Sequence, residues 1–469
     1  MTDGTDRGTP GPATSCASDR SASSVPRPSG LVLSAFRALR YASELSGRLS
    51  VLTSPPYDVI DADEVAALEA ANEHNVVRLI LPRDGDLPGQ DRYARAAATL
   101  VGWRDSGVLR PDDVPALYVY EQSEPGGHVQ RGLLGALGLS PPEDNIVLPH
   151  ENTMAGAVSD RLALYTAVQA DLEPIFLVYD GGGAATNAVA SVGPPPGSDT
   201  APGEVTSKAA ADRPALLVDA LLGDGLRHRL WALTDPDVLT AVAADLFPRT
   251  ALIADGHHRY ATYLQRQASR HEQGAGPGPW DAGLCLLVDA TSFGPQVHAI
   301  HRVVPAHGAD ELAALAARGS TVRRLEGDLT QGLAELADAG RHGPAFLLAS
   351  GDAARMHLVS RPDPDQLAAA VPPERSKAWA ALDVSVLHAY LVTSLWGLPD
   401  DVEHVGYEHD VKDALATAAR TGGTAILLNP TPVESVAAVA GGGERMPRKS
   451  TLFTPKPRTG LVLRDHRDA

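Results

Sequence analysis

The chain has 469 residues, of which 43% are hydrophobic, 21% charged and 5% aromatic, and it carries a formal net charge of -18. That length exceeds one ordinary core and predicts two domains, or one domain with appendages. The acidic balance argues against nucleic acid as the main partner, because phosphate backbones need clustered Lys and Arg. Cys16 and Cys285 are the two cysteines, which points to a reducing compartment without disulfides. There is no apolar run of membrane-spanning length and no apolar leader, so a cytoplasmic protein without a membrane partner is expected.

Residues 1–30 are rich in Ser, Thr, Gly and Pro and nearly free of large apolar side chains, which predicts a disordered tail. Folded sequence begins at Leu31-Val32-Leu33. The prolines of Ser54-Pro55-Pro56 stop regular structure and present Tyr57 and Asp58 from a rigid turn. A helix over 62–72, a strand over 75–82 and a helix over 93–105 follow, the last ended by Ser106-Gly107. Residues 116–122 and 132–139 form paired strands around a Gly-Gly turn. After Leu148-Pro149-His150-Glu151-Asn152-Thr153-Met154 the pattern gives a helix over 159–169 and a strand over 175–179. Residues 181–214, dominated by Gly, Pro, Ser and Ala, are expected to be a flexible insertion. Strands over 215–220 and 226–233 flank the hairpin signal Gly223-Asp224-Gly225, and a helix over 235–246 leads onward.

The chain then reaches Ala251-Leu252-Ile253-Ala254-Asp255-Gly256-His257-His258-Arg259-Tyr260, an apolar strand broken by Asp-Gly. Helical spacing resumes from Tyr260, with Tyr263 and Leu264 on the same face. A helix start offers unpaired backbone N–H groups and the positive end of its dipole, so an anion is welcome there. Gly256 permits close backbone approach, Arg259 can fork onto a phosphate, and Asp255 can hold a metal ion or accept a proton. The alternative is that Asp255 is an N-cap and the histidines are satisfied polar residues near a turn. Beyond it, 284–290 and 298–304 are strand-like, and the last third alternates helix and strand: helices over 309–318, 383–398 and 411–420, and strands over 345–350, 356–360 and 424–429. The end, from Met446-Pro447-Arg448-Lys449-Ser450-Thr451 to Lys456, is basic on an acidic background. The sum is an α/β or α+β chain of mixed sheets with flanking helices, divided into an N-terminal region 31–305 and a C-terminal region 306–469.

Five groups qualify as site components: Tyr57 with Asp58; His150, Glu151 and Asn152; Asp255 with His257, His258 and Arg259; His301 with Arg302; and Arg448, Lys449 and Ser450 with Lys456. The basic cluster supplies charge for a polyphosphate, or is a solvated tail anchored by Phe453. His150-Glu151 is either chemistry or a capping cluster with Asn152 and Thr153. The charges of Glu408, His409 and Asp410 are accounted for by the helix they precede. Adjacent histidines lack the i, i+4 geometry of a helical zinc pair, whereas Mg2+ bridging carboxylate and phosphate suits the acidic residues better.

The blocks Ser54-Pro55-Pro56-Tyr57-Asp58-Val59-Ile60, Pro149-His150-Glu151-Asn152-Thr153, Glu173-Pro174-Ile175-Phe176, Ala254 to Tyr260, His301-Arg302 and Met446 to Thr451 resemble, in the same order, the bacterial family called domain of unknown function 1015. The Asp255-Gly256-His257-His258-Arg259 block is also similar to the phosphate-binding turn of the ParB/sulfiredoxin fold, and the free L-serine kinases of that group use the same wording. The resemblance implies a ParB-like core around this turn and small-molecule phosphoryl transfer from ATP or ADP, with Mg2+. Asp255, Asp58, Glu151 and His258 become the catalytic candidates, with Asp58 or Glu151 as base and Asp255 on the metal or the acceptor hydroxyl. Gly256, His257, His258, Arg259, Arg448, Lys449 and Ser450 would hold nucleotide phosphates, and Tyr57, His150, Asn152 and His301 the substrate. A non-catalytic nucleotide-binding regulator of ParB type, or a metal-dependent hydrolase, are the competing readings.

Overall fold

Among the described residues the short apolar runs pair into two large sheets and three two-stranded ones. In the computed structural model, which describes residues 25–84, 91–124, 127–193 and 214–468, nine strands make the larger sheet. Its order is Val147–Leu148, Ala251–Asp255, Ile175–Tyr179, Ala282–Asp289, Val129–Gly138, Leu117–Ser123, Arg227–Leu233 and Ala215–Leu221, with Leu33–Ser34 also beside Val129–Gly138. Ala251–Asp255 runs parallel to Val147–Leu148 and antiparallel to Ile175–Tyr179, which in turn is parallel to Ala282–Asp289. The sheet is therefore mixed. Every residue of Ile175–Tyr179 is buried, the reason this strand reads as a continuous apolar run rather than an alternation.

Six antiparallel strands form the second sheet, in the order Ser320–Leu325, Met356–Pro362, Ala345–Ser350, Thr424–Leu428, His301–Val304 and Gly406–Glu408. Leu336, Leu347, Ala414, Ala418 and Leu427 make a separate small core on one face. Leu348 and Ile426, on the other face, join the main core. Among the described residues no helix is long and apolar enough to cross a membrane.

Several elements differ from the sequence expectation. The segment 75–82 contains one helical turn, Val77–Ile80, instead of a strand. Asn75 starts that turn: its side chain accepts from Val77 N at 2.9 Å and donates to Val51 O at 2.8 Å. Because Val76, Val77, Leu79 and Ile80 are all fully buried, packing rather than β-propensity decides their backbone. The helix expected over 159–169 begins earlier and spans Ala155–Val168. The expected insertion 181–214 opens with a helix, Gly183–Ala190, that buries Ala185, Ala188 and Val189; residues 194–213 lie outside the described residues. Of the expected tail 1–30, residues 1–24 also lie outside them, while Pro26 O accepts from Gln267 Nε2 and so lies against the body. The expected strand 298–304 is two strands in different ladders, Gln296–His298 and His301–Val304. The expected helix 383–398 is mostly a wider π-turn, Val386–Leu395.

Strand pairing crosses residue 305. His301–Val304 belongs to the second sheet, and the C-terminal end returns to the first region. Leu452–Thr454 pairs with Gln296–His298, and Arg464–Asp465 with Ala170–Asp171. A buried ion cluster fixes this return: Asp171, fully inaccessible, receives Arg266 at 2.7 Å and Arg464 at 2.9 Å.

Candidate functional site

The helix after Ala251–Asp255 spans His257–Glu272, so it starts at His257 rather than Tyr260 and holds both histidines and Arg259 in its first turn. Its N-cap is Gly256, at φ 95°, with no side-chain cap. A Cβ on Gly256 would lie 3.1 Å from Ile175 Cγ2 and 3.1 Å from Arg259 Nε. Gly256→Ala is therefore expected to cost about 1–3 kcal/mol of unfolding free energy, measurable by urea denaturation.

Around that turn the structure gathers groups from three distant stretches. Lys456 Nζ lies 2.5 Å from Asp255 Oδ1 and 3.5 Å from Asp58 Oδ2. Glu151 Oε2 stands 3.6 Å from His257 Nδ1. His257 Nε2 accepts from the His150 backbone N–H at 3.2 Å, and His258 Nε2 accepts from Met154 N at 3.0 Å. Those bonds place the proton of each neutral imidazole on Nδ1, which for His257 is the nitrogen nearest Glu151.

The environment tunes the acids in opposite directions. Burial opposes the charge of Asp58, but Arg259 and Lys456 outweigh it and hold its carboxyl below the ordinary value. Glu151 is pushed up, first by burial and then by the Asp255 carboxylate. Burial works against the Lys456 ammonium, yet Asp255 and Asp58 raise it overall. His257 and His258 are both pushed down, mainly by burial.

Arg259 departs from the expectation that it faces a phosphate. Its side chain is 1% exposed, donates to Pro174 O at 2.7 Å, pairs with Asp255 Oδ2 and lies over the Tyr57 ring. The i, i+4 spacing between Asp255 and Arg259 folds the guanidinium back under the strand end, where it supports the site from beneath. Tyr57 is likewise part of this support, sandwiched by Arg259 and by Arg161, which lies 4.4 Å from its ring centre.

Other expected residues are placed differently. His150 is fully buried, with Nε2 3.0 Å from Thr451 Oγ1 and its ring edge-on to His257. It ties the C-terminal segment to the strand-to-helix turn. Burial pushes its pKa from the ordinary 6.5 down to about 4. The unfolded chain then binds a proton that the folded chain refuses, so stability falls as pH drops from 6.5 toward about 4 and levels off below. Replacing His150 by Asn should flatten that decline by up to ~1.4 kcal/mol per pH unit, read from denaturation midpoints across the window. His301, expected among the substrate residues, is also buried, accepting from Leu428 N at 3.3 Å through Nδ1. The Ser450 hydroxyl closes its own turn by donating to Pro447 O. Arg448 and Lys449 are exposed; buried Arg302 donates to both of their carbonyls, at 3.2 and 2.9 Å, and fixes their loop. Asn152 is exposed on the rim.

The expected metal role of Asp255 meets a different donor set. Arg259 and Lys456 engage its two oxygens, and among the described residues no three His, Cys, Asp or Glu side chains gather to hold a metal. These residues do not form a dedicated Mg2+ site.

Two participants escape sequence reasoning. Glu173, fully buried, accepts from Tyr57 N at 3.0 Å and Thr459 Oγ1 at 3.2 Å, tying the proline turn to the C-terminal segment. Its sequence signal is its place in the Glu173-Pro174-Ile175-Phe176 block, two residues ahead of the buried strand Ile175–Tyr179. His409, explained in the sequence by its helix, lies beside the ammonium groups of Lys449 and Lys456, which with burial push it down. Two surface hollows, one near Ser46 and Leu216 and one near Val101 and Trp280, include none of these groups.

The arrangement defines a mixed α/β protein whose carboxylates, imidazoles and ammonium converge where a strand turns into a helix. By its sequence the chain belongs to the family described as Protein of unknown function (DUF1015), whose model matches residues 33–385, three quarters of its length. Among curated proteins none matches. Solved structures with some likeness include a free serine kinase mutant in complex with ADP, at 14% identity and TM-score 0.33, covering 74% of this chain and 97% of that one. A conserved hypothetical protein from Pyrococcus furiosus matches at 13% identity and TM-score 0.31, covering 73% and 99%. SbnI from Staphylococcus aureus matches at 10% and 0.32, covering 71% and 87%. Scores this low leave these likenesses without weight for function.

Proposed function

We propose that this protein is a nucleotide-dependent phosphotransferase that moves a phosphoryl group from ATP or ADP to a small hydroxyl compound, with free L-serine as the first acceptor to test. The observation that carries the reading is the uncapped helix start at Gly256, flanked by Asp255, Asp58, Glu151 and Lys456. The Asp255-Gly256-His257-His258-Arg259 wording, similar to that of free serine kinases, adds the acceptor class.

The backbone amides of the first helical turn receive phosphate oxygens, with no Cβ on Gly256 to obstruct them. Glu151 is the base of choice, because burial and Asp255 raise its proton affinity while Arg259 and Lys456 keep Asp58 ionised. The acceptor oxygen forms a bond to the terminal phosphorus of the donor. The bond from that phosphorus to the bridging oxygen breaks, its electron pair leaving with the nucleotide, and the hydroxyl proton passes to Glu151. Positioning and charge neutralisation supply most of the acceleration in this chemistry.

The reading is tested by thermal shift against ATP, ADP and CTP, followed by product analysis with a panel of hydroxylated amino acids. Phosphoserine formed at the expense of ATP or ADP is the expected result. Nucleotide binding with no product from any acceptor would favour a non-catalytic ParB-like regulator instead, a role that the closed charge pairs on Asp255 would also suit.

A further inference from the structure

Lys456 sits on a segment whose main chain is fixed on both sides. Pro455 O accepts from Gln130 Nε2 at 3.0 Å and Lys456 O from Gln122 Nε2 at 2.9 Å. The two glutamines are themselves joined, Gln130 Nε2 to Gln122 Oε1 at 3.0 Å, and both are 1% exposed. Two residues on, Arg458 donates to Thr53 Oγ1 at 3.1 Å, and Thr459 pairs with Ser54. The same ladder therefore positions Lys456 and the turn that carries Asp58. Buried amide side chains spent on anchoring one lysine's backbone indicate that its place matters.

The two cations at the strand end are not equivalent. The Arg259 side chain is 1% exposed and committed to protein groups, whereas that of Lys456 is 19% exposed. An ammonium has three N–H donors, and its partners among the described residues are the two carboxylates Asp255 and Asp58. A donor remains for a ligand. Asp255 immediately precedes Gly256, so this ammonium is adjacent to the uncapped helix start.

We propose that Lys456 is a catalytic residue that contacts the transferred phosphoryl group, its ammonium donating to a non-bridging oxygen. The inference rests on the phosphotransferase reading. As the acceptor oxygen bonds to phosphorus and the bridging oxygen departs with its electron pair, negative charge spreads over the three equatorial oxygens. Lys456 meets that charge while Asp58 and Asp255 hold its Nζ in place. It remains an ammonium throughout, since the acceptor proton goes to Glu151.

The test compares wild type with Lys456→Met and Lys456→Arg, using ATP or ADP as donor and L-serine as acceptor. Lys456→Met is expected to lower kcat by at least about 100-fold, with the nucleotide KM changed by less than about threefold. Lys456→Arg keeps the charge, and should recover part of that loss while melting within a few degrees of wild type. If Lys456→Met fails to fold, the arginine variant decides: wild-type kcat in a folded Lys456→Arg chain together with a raised KM assigns Lys456 to ground-state binding and overturns the proposal. A Lys456→Met kcat near that of wild type overturns it too. Absence of product from the wild-type protein on every acceptor is a different result, which removes the phosphotransferase reading itself and this role with it.

Discussion

Arg259→Ala is expected to lower the unfolding free energy by about 3–5 kcal/mol. The guanidinium is sealed beneath the strand end, bonded to Asp255 and to Pro174 O, and it also faces Glu173 and Asp58 electrostatically. Removing it strands one part-buried carboxylate oxygen of Asp255 and the buried Pro174 carbonyl, and leaves the fully buried Glu173 with Arg161 as its remaining cationic support. Loss of one partner from such a pair costs far more than the pair itself contributes, because the remaining charge stays desolvated. Urea denaturation should show the midpoint moving strongly at unchanged slope. A variant as stable as wild type that had lost nucleotide affinity would instead return Arg259 to direct phosphate contact.

Glu151→Gln is expected to lower kcat by about 100- to 10,000-fold with the fold intact, since the carboxylate is a third exposed and the imidazole 3.6 Å from it, that of His257, is neutral, so no ion pair is broken. The base must be ionised to accept the hydroxyl proton. Because burial and the Asp255 carboxylate raise Glu151 above the ordinary 4.5, activity should fall on the acid side at a pH higher than an exposed glutamate would give. In the glutamine variant that acid limb should vanish from the residual rate. The discriminating partner is Asp58→Asn: if it abolishes turnover while Glu151→Gln is active, Asp58 is the base and the assignment reverses.

Much of the local structure was legible because its causes are local. Strands at 117–123, 175–179, 251–255 and 424–428 follow from short apolar runs bounded by breakers, and the hairpin at 215–233 from Gly223-Asp224-Gly225. The strand-to-helix turn at Asp255-Gly256 is equally local. The misplacements have long-range causes. Val76, Val77, Leu79 and Ile80 carry the branched chains of a strand, but Asn75 and full burial give them a helical turn. Arg259 presents the sequence of a phosphate ligand, yet a carboxylate four residues earlier and a carbonyl from 174 claim it.

Composition, breakers and periodicity by themselves determined the α/β class, the site turn and the identity of the charged blocks, since these depend on spacings of a few residues. Which blocks meet was decided by tertiary structure. Lys456 reaches Asp255 across two hundred residues because strand pairing at 452–454, the Gln122–Gln130 pair and the buried Asp171–Arg464 bridge bring the end of the chain back. His150 and Ser450 were withdrawn from solvent by the same closure and His301 by the second sheet, because neutral imidazoles and a hydroxyl with internal partners can be buried at little cost. Glu151 and Lys456 keep part of their side chains in solvent, 35% and 19% exposed, because water offsets the desolvation that a charge would otherwise bear.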